Sequence, residues 1–167
     1  MMTVSAMRAL DIETGEWPEA EPSAQLSTDY LNRYGEALML LEMAPMDPGV
    51  IDDLKSWRAV GYVEHFENSN LRCTPSALAA YRGLAAARRQ AFEELCVAMN
   101  RLIATATSLL ADLEHDQGTT EIVAVASESL RTLIGRATQF INANGDVDVG
   151  ALQGGGLQDE IDAVFAS

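Results

Sequence analysis

His65, flanked by Glu64 and Glu67, is one side chain in this sequence with a clear chemical use. An imidazole beside carboxylates on a helix can accept a phosphoryl group or carry a proton. The flanking residues do not resemble the usual phosphotransfer arrangement, so a surface or half-buried histidine is expected. His115 falls at a predicted helix end, where a cation complements the helix dipole. Cys73 and Cys96 are 23 residues apart and share no ligand spacing with each other or with a histidine, so no metal site is expected. Cys96 reads as an ordinary core thiol. Gly154-Gly155-Gly156 lacks the lysine and the strand of a nucleotide-binding loop, so no cofactor is expected. Arg82, Arg88, Arg89 and Arg101 could gather an anion, but Glu93, Glu94 and Asp112 lie close enough to pair with them along the helix surface.

The elements that would position these groups are all helical. Residues 1–26 read as a flexible acidic leader with two prolines and little periodicity. Ser27 or Thr28 is expected to cap a helix that runs to about Ala44, with Tyr30, Leu31, Tyr34, Leu38 and Leu41 on its apolar face. Pro45 to Pro48 stops it, and a short second helix follows with Val50, Ile51, Leu54 and Trp57 inward. Gly61 breaks that helix, and Tyr62 to Glu67 allows a further turn or two. Thr74-Pro75 is a strong helix start, a cap residue followed by proline.

From Thr74 a helical pattern runs to about His115, which would span about 60 Å unbroken. Leu78, Tyr81, Ala85, Arg88, Phe92, Leu95, Met99, Leu102, Ala106, Leu109 and Leu113 alternate steps of three and four, a heptad-like seam interrupted by Arg88. Cys96, Ile103 and Leu110 widen it, which suits a multi-helix bundle better than a two-stranded coil. After Gly118 a return helix covers about Thr120 to Ala143, with Val123, Ala126, Leu130, Leu133, Ala137 and Phe140 in the same rhythm. The expected fold is all-α: a helical bundle (27–144) built on a long antiparallel hairpin (about 75–143), with short N-terminal helices and a flexible C-terminal tail. A hairpin with so wide a stripe often pairs with a second copy, so a homodimer through it is carried as an expectation.

Charge narrows the partners. The chain carries 25 acidic against 11 basic residues, a formal net charge of -14. Nucleic acid and anionic membrane surfaces both need a basic footprint, and the field here is the opposite. A partner with a basic patch would be attracted. No signal-peptide layout and no long uncharged apolar run occurs, so a cytoplasmic location is expected.

The acidity peaks at the end. No basic residue follows Arg136, and residues 145–156 form a glycine-rich stretch expected to be a flexible linker. The last segment, 157–167, places Leu157, Ile161, Val164 and Phe165 on one face of a helix, with Asp159, Glu160 and Asp162 near its start. Eleven residues are too few for a stable isolated helix. The segment is therefore expected to be largely unstructured alone and to fold when its apolar face meets a groove with a basic rim. Three roles are open for it: docking to a partner, packing on its own bundle, or simple solubilisation.

The stretch Gln158-Asp159-Glu160-Ile161-Asp162-Ala163-Val164-Phe165 resembles the CheY-binding peptide of the flagellar switch protein family FliM, whose pattern runs Leu-Ser-Gln, any residue, Glu-Ile-Asp-Ala-Leu-Leu. It is also similar in style to the C-terminal peptide of the chemotaxis phosphatase family CheZ, which shares the order of helical hairpin, linker and docking helix. The resemblance implies a CheY-like response regulator as partner, bound through Leu157, Gln158, Asp159, Glu160, Ile161, Asp162, Val164 and Phe165. It covers under a tenth of the chain. CheZ-type phosphatases orient water with a helical glutamine that has an acid four residues earlier. Gln139 lies on the return helix, but Gly135 stands in the acid's place; Gln117 follows Leu113 and Gln90 follows Ala86 at that spacing. Glu21 and Gln25 have the spacing within the leader, and Glu67 and Asn70 match a second phosphatase pattern within a predicted loop. The dephosphorylating part of the resemblance therefore does not carry over, with Gln139 as the remaining catalytic candidate. A binding protein is the leading reading; a divergent CheZ-like phosphatase and a structural oligomeric bundle are the alternatives.

Overall fold

The structure, a computed structural model, describes residues 24–113 and 118–149. Every regular element among the described residues is helical. A single 3-10 turn over Thr28–Leu31 leads into α1 (Asn32–Met43), followed by α2 (Val50–Ser56), α3 (Tyr62–Glu67), α4 (Thr74–Arg82), α5 (Ala86–Asp112) and α6 (Gly118–Asn142). The fold is all-α, as the periodicities require.

The body is organised around α6. Its inward stripe, Val123, Ala126, Leu130, Leu133, Ala137 and Phe140, is buried along its whole length. One side of α6 receives α5 and another receives α1. Phe92, near the start of α5, stacks on Phe140, near the end of α6, at 5.0 Å between ring centroids. The two helices therefore run antiparallel. An ion pair between Arg131 and Glu42 links α6 to α1 at the surface. Short α2 closes the gap between α1 and α5 with Val50, Ile51 and Leu54 turned inward. By length and composition α5 would suffice to cross a membrane. Here its apolar side, Leu95, Met99, Leu102, Ala106 and Leu110, forms the bundle core.

Four sequence-based expectations need correction. First, the helix from Thr74 is not continuous: it stops at Arg82 and restarts at Ala86. Gly83 takes the capping bond to the Ala79 carbonyl, and the Arg89 guanidinium reaches back 3.3 Å to the Leu84 carbonyl. Leu84 is left free of the helix to pack against the turn at Gly145. The hairpin consequently spans α5 and α6 alone. Second, the heptad seam drifts. Ala85 is exposed and Leu109 is 37% exposed, whereas Leu110 is fully buried. An ordinary helix has 3.6 residues per turn, so a strict seven-residue repeat rotates off its partner within a few turns.

Third, the leader ends earlier than residue 26. The Leu26 amide donates to Asn144 Oδ1 at 2.8 Å, the Asn144 amide donates to the Ala24 carbonyl at 3.1 Å, and Leu26 is buried. Fourth, the body extends past residue 144. Asn144 and Gly145 both take positive φ, 53° and 78°, and Gly145 N returns to the Phe140 carbonyl at 2.8 Å. This is a left-handed helix terminator that satisfies carbonyls at the end of α6. It brings Val149 back into the core, 2% exposed. Residues 145–149 thus belong to the bundle. At the other sequence signals, Ser27 Oγ accepts from the Asp29 amide at 3.1 Å as a cap should. Thr74 instead lies inside the first turn of α4, and its buried Oγ1 has no partner.

Candidate functional site

Among the described residues, a concave surface runs beside α5, where the chain connecting α2 to α3 crosses over. Two adjoining depressions lie there, about 680 Å³ and about 440 Å³, and they share Ala59, Val97 and Asn100.

Aromatic residues fix the crossing chain. The Trp57 indole donates to the Arg33 carbonyl at 2.9 Å, and Arg33 in turn donates to the Arg58 carbonyl at 3.0 Å. The Tyr30 hydroxyl donates to the Val60 carbonyl at 2.7 Å. Three side-chain bonds thus tie residues 57–60 to the 3-10 turn and α1, and their backbone forms one wall of the groove. Tyr34 reaches through the core to donate to Asn100 Oδ1 at 2.8 Å. The Asn100 oxygen is thereby committed to the interior, while the residue lines both depressions.

The floor is apolar, made by Leu54, Trp57, Val97, Ile103, Ala104 and Ala111. The charges beside it are Lys55 and Arg101, with no carboxylate among the residues lining the larger depression. In a chain of net charge -14 this is an electropositive exception. Lys55 lies 4.0 Å from Asp52 in an exposed pair that adds little. The smaller depression differs, with Glu64 and Glu93 at its edge.

Beneath the groove lies a tyrosine-rich core. Tyr30, Tyr62, Tyr81 and Phe92 pack edge-to-face or stacked, with Tyr62 and Tyr81 4.5 Å apart. Burial drives the Tyr30, Tyr34 and Tyr81 phenols well above their usual range and the Tyr62 phenol up to about 12. Burial likewise pushes the Cys96 thiol up to about 12, so it stays a protonated core thiol and not a nucleophile. Tyr81 donates to Glu93 Oε2 at 2.7 Å. The Tyr62 hydroxyl accepts from the Ser27 amide at 3.1 Å and donates to the Ala77 carbonyl at 3.2 Å, so these groups are held by hydrogen bonds within the body and serve structure.

The remaining candidates are dispersed. His65 is half-buried, its Nε2 3.0 Å from Asp29 Oδ2 and its ring against Tyr30 and Phe66. It holds α3 onto the 3-10 turn and lies apart from any second catalytic group. Gln139 is exposed on the outer side of α6, and a Cβ added at Gly135 would meet nothing within 4 Å. No acid is placed four residues before it to organise water. Glu67 is paired with Arg82 at 2.9 Å, and Asn70 is exposed in the following loop. Among the described residues no group of three or more His, Cys, Asp or Glu side chains could hold a metal ion. The tail residues Leu157, Gln158, Asp159, Glu160, Ile161, Asp162, Val164 and Phe165 lie outside the described residues, as do His115, Gln117 and Glu21. Sequence reading missed the groove entirely, because its walls come from α2, the 57–61 crossing and α5, which no local spacing connects.

No protein-family model, no curated protein and no solved structure matches this chain.

Proposed function

We propose that this chain is an auxiliary binding protein of two-component signalling, which presents its C-terminal segment to a CheY-like response regulator in the cytoplasm. The observation that carries the reading is the segment Gln158–Phe165, an acidic amphipathic stretch set beyond a glycine-rich spacer. Leu157, Ile161, Val164 and Phe165 supply the apolar anchors, and Asp159, Glu160 and Asp162 select a basic rim on the partner. Support of a second kind comes from α6, where Gly135 stands four residues before Gln139 in the place an acid would need to take. That arrangement favours an adaptor over a phosphatase. The strong negative charge disfavours nucleic acid and anionic membranes as partners. Pairing of two copies along the hairpin belongs to the same proposal, with Leu109 and Val125 as exposed apolar residues on its two arms.

The test compares the full chain with a variant ending at Gly156 for retention of a phosphorylated CheY-like regulator, while the regulator's phosphate decay is followed. The adaptor reading expects retention by the full chain alone and unchanged decay. Equal retention by both chains, or by neither, overturns it. Faster decay that depends on the tail would replace the adaptor with a phosphatase.

A further inference from the structure

The electropositive groove between α2 and α5 has the length and chemistry of a seat for a short acidic amphipathic helix. Along α5 it extends from Val97 to Ala111, about 21 Å at 1.5 Å per residue. An eleven-residue helix is about 16 Å long. The floor offers apolar surface, and Val97 in it is 50% exposed, a large aliphatic side chain with no cover. Lys55 and Arg101 stand beside that floor, and Arg101 has no ion-pair partner among the described residues.

We propose that this groove is the resting seat of the chain's own C-terminal segment, residues 157–167. Leu157, Ile161, Val164 and Phe165 would cover Val97, Ala104 and Trp57, and Asp159, Glu160 and Asp162 would face Lys55 and Arg101. The neighbouring depression carries Glu64 and Glu93, which repel the same acids and confine the segment to the Lys55–Arg101 half.

Chain length fits. Gly145 is held at the start of α5, its carbonyl 3.2 Å from the Arg88 guanidinium. From Arg88 to Asn100 and Ala104 is about 18–24 Å along the helix. The seven residues between Val149 and Leu157 span up to about 27 Å when extended. A spacer matched to its span gives the tethered segment a high effective concentration at the groove. The leader starts from the same end of the bundle, yet it lacks the three-four apolar rhythm that a groove of this shape reads. An external partner would then bind only the unseated fraction of tails, so the groove sets how readily the tail is offered. The proposal does not depend on what that partner is.

Lys55 is the only lysine in the sequence, which makes a direct test available on the unaltered full chain. A carbodiimide joins an amine to a carboxylate in contact with it, and peptide mapping of the monomer fraction then identifies the acid attached to Lys55. The expected result is a bond from Lys55 to Asp159, Glu160 or Asp162, above the background bond to its neighbour Asp52. Arg101→Glu and Ala104→Trp, both at exposed positions, should each lower the tail-linked fraction about tenfold while the Asp52 bond persists. Attachment of Lys55 to Asp52 or Asp53 alone overturns the proposal. So does attachment to leader acids, or tail attachment found only between two copies. No response regulator enters the experiment, so its failure is separable from failure of the docking reading.

Discussion

Tyr34 and Asn100 meet through a 2.8 Å hydrogen bond that joins the buried side of α1 to the groove side of α5. The Tyr34 hydroxyl also lies 3.3 Å from that of Tyr30, so it sits at the middle of a short chain of polar atoms in an otherwise apolar core. Tyr34→Phe deletes that oxygen and removes the donor to Asn100, which lines the groove and is only half-buried. It should cost about 0.5–1.5 kcal/mol, the net worth of one hydrogen bond. Urea unfolding checks this as a lowered midpoint at unchanged slope.

Phe140 is fully buried and stacked on Phe92 with 19° between the ring planes. Phe140→Ala opens a cavity where α5 and α6 close together and should cost about 3–5 kcal/mol. Phe140→Leu, which keeps most of the volume, should cost clearly less. Equal losses in thermal melts of the two variants would mean that the ring is not packed as described.

Two glycines on either side of the end of α6 should respond with opposite signs to alanine. Gly135 lies inside the helix with open space at its Cβ position, so Gly135→Ala should stabilise by about 0.5–1 kcal/mol. Gly145 has φ 78°, and a Cβ there would come 2.3 Å from Leu84 Cδ2. Gly145→Ala should destabilise by about 1 kcal/mol or more. The pair is read from one set of denaturation curves.

The Cys96 thiol, raised by burial to about 12 from an ordinary value of 9.0, ties stability to alkaline pH. The folded chain keeps this proton between the two values, whereas the unfolded chain releases it. The stabilisation is complete below pH 9 and is lost as pH rises towards 12. This group alone contributes a slope of about 1.4 kcal/mol per pH unit in that window. Cys96→Ala should flatten the alkaline limb of the stability profile. In the native protein at pH near 8, iodoacetamide should modify the half-exposed Cys73 and spare Cys96.

For the tail, Ile161→Ala or Phe165→Ala should weaken regulator docking by about 1–3 kcal/mol each, as loss of an apolar anchor does. Each variant should also lower the unfolding transition of the full chain, because the same side chain covers the groove between α2 and α5 in the resting seat. Calorimetric titration and a thermal melt of the same samples separate the two effects.

The all-α fold and the buried stripe of α6 were legible because a helix of steady three-four rhythm needs only its own sequence to declare which side faces inward. Other features were set by distant contacts. The break between α4 and α5 falls in an alanine-rich stretch with no proline. Leu84 and Gly145, 61 positions apart, place the interruption there, and local propensity does not register that contact. The seam at Leu109 was misjudged because a heptad count ignores the drift of a straight helix. Residues 24–26 looked like leader because their anchor, Asn144, is about 120 positions away in sequence. Trp57 was read as one more inward face residue, yet it ends α2 and clamps the crossing chain through its indole nitrogen. The groove inherits that invisibility from each of its walls.

The Asn144 carboxamide holds the segment at Ala24 and Leu26 with both of its ends, on the same turn where the chain leaves α6. Mechanically, this makes one small side chain the buckle between the two termini. Tension drawn through residues 24 and 149 is shared between that buckle and its neighbours, the buried Val149, the Arg88 bond to the Gly145 carbonyl and the Gln25 amide on Ser76.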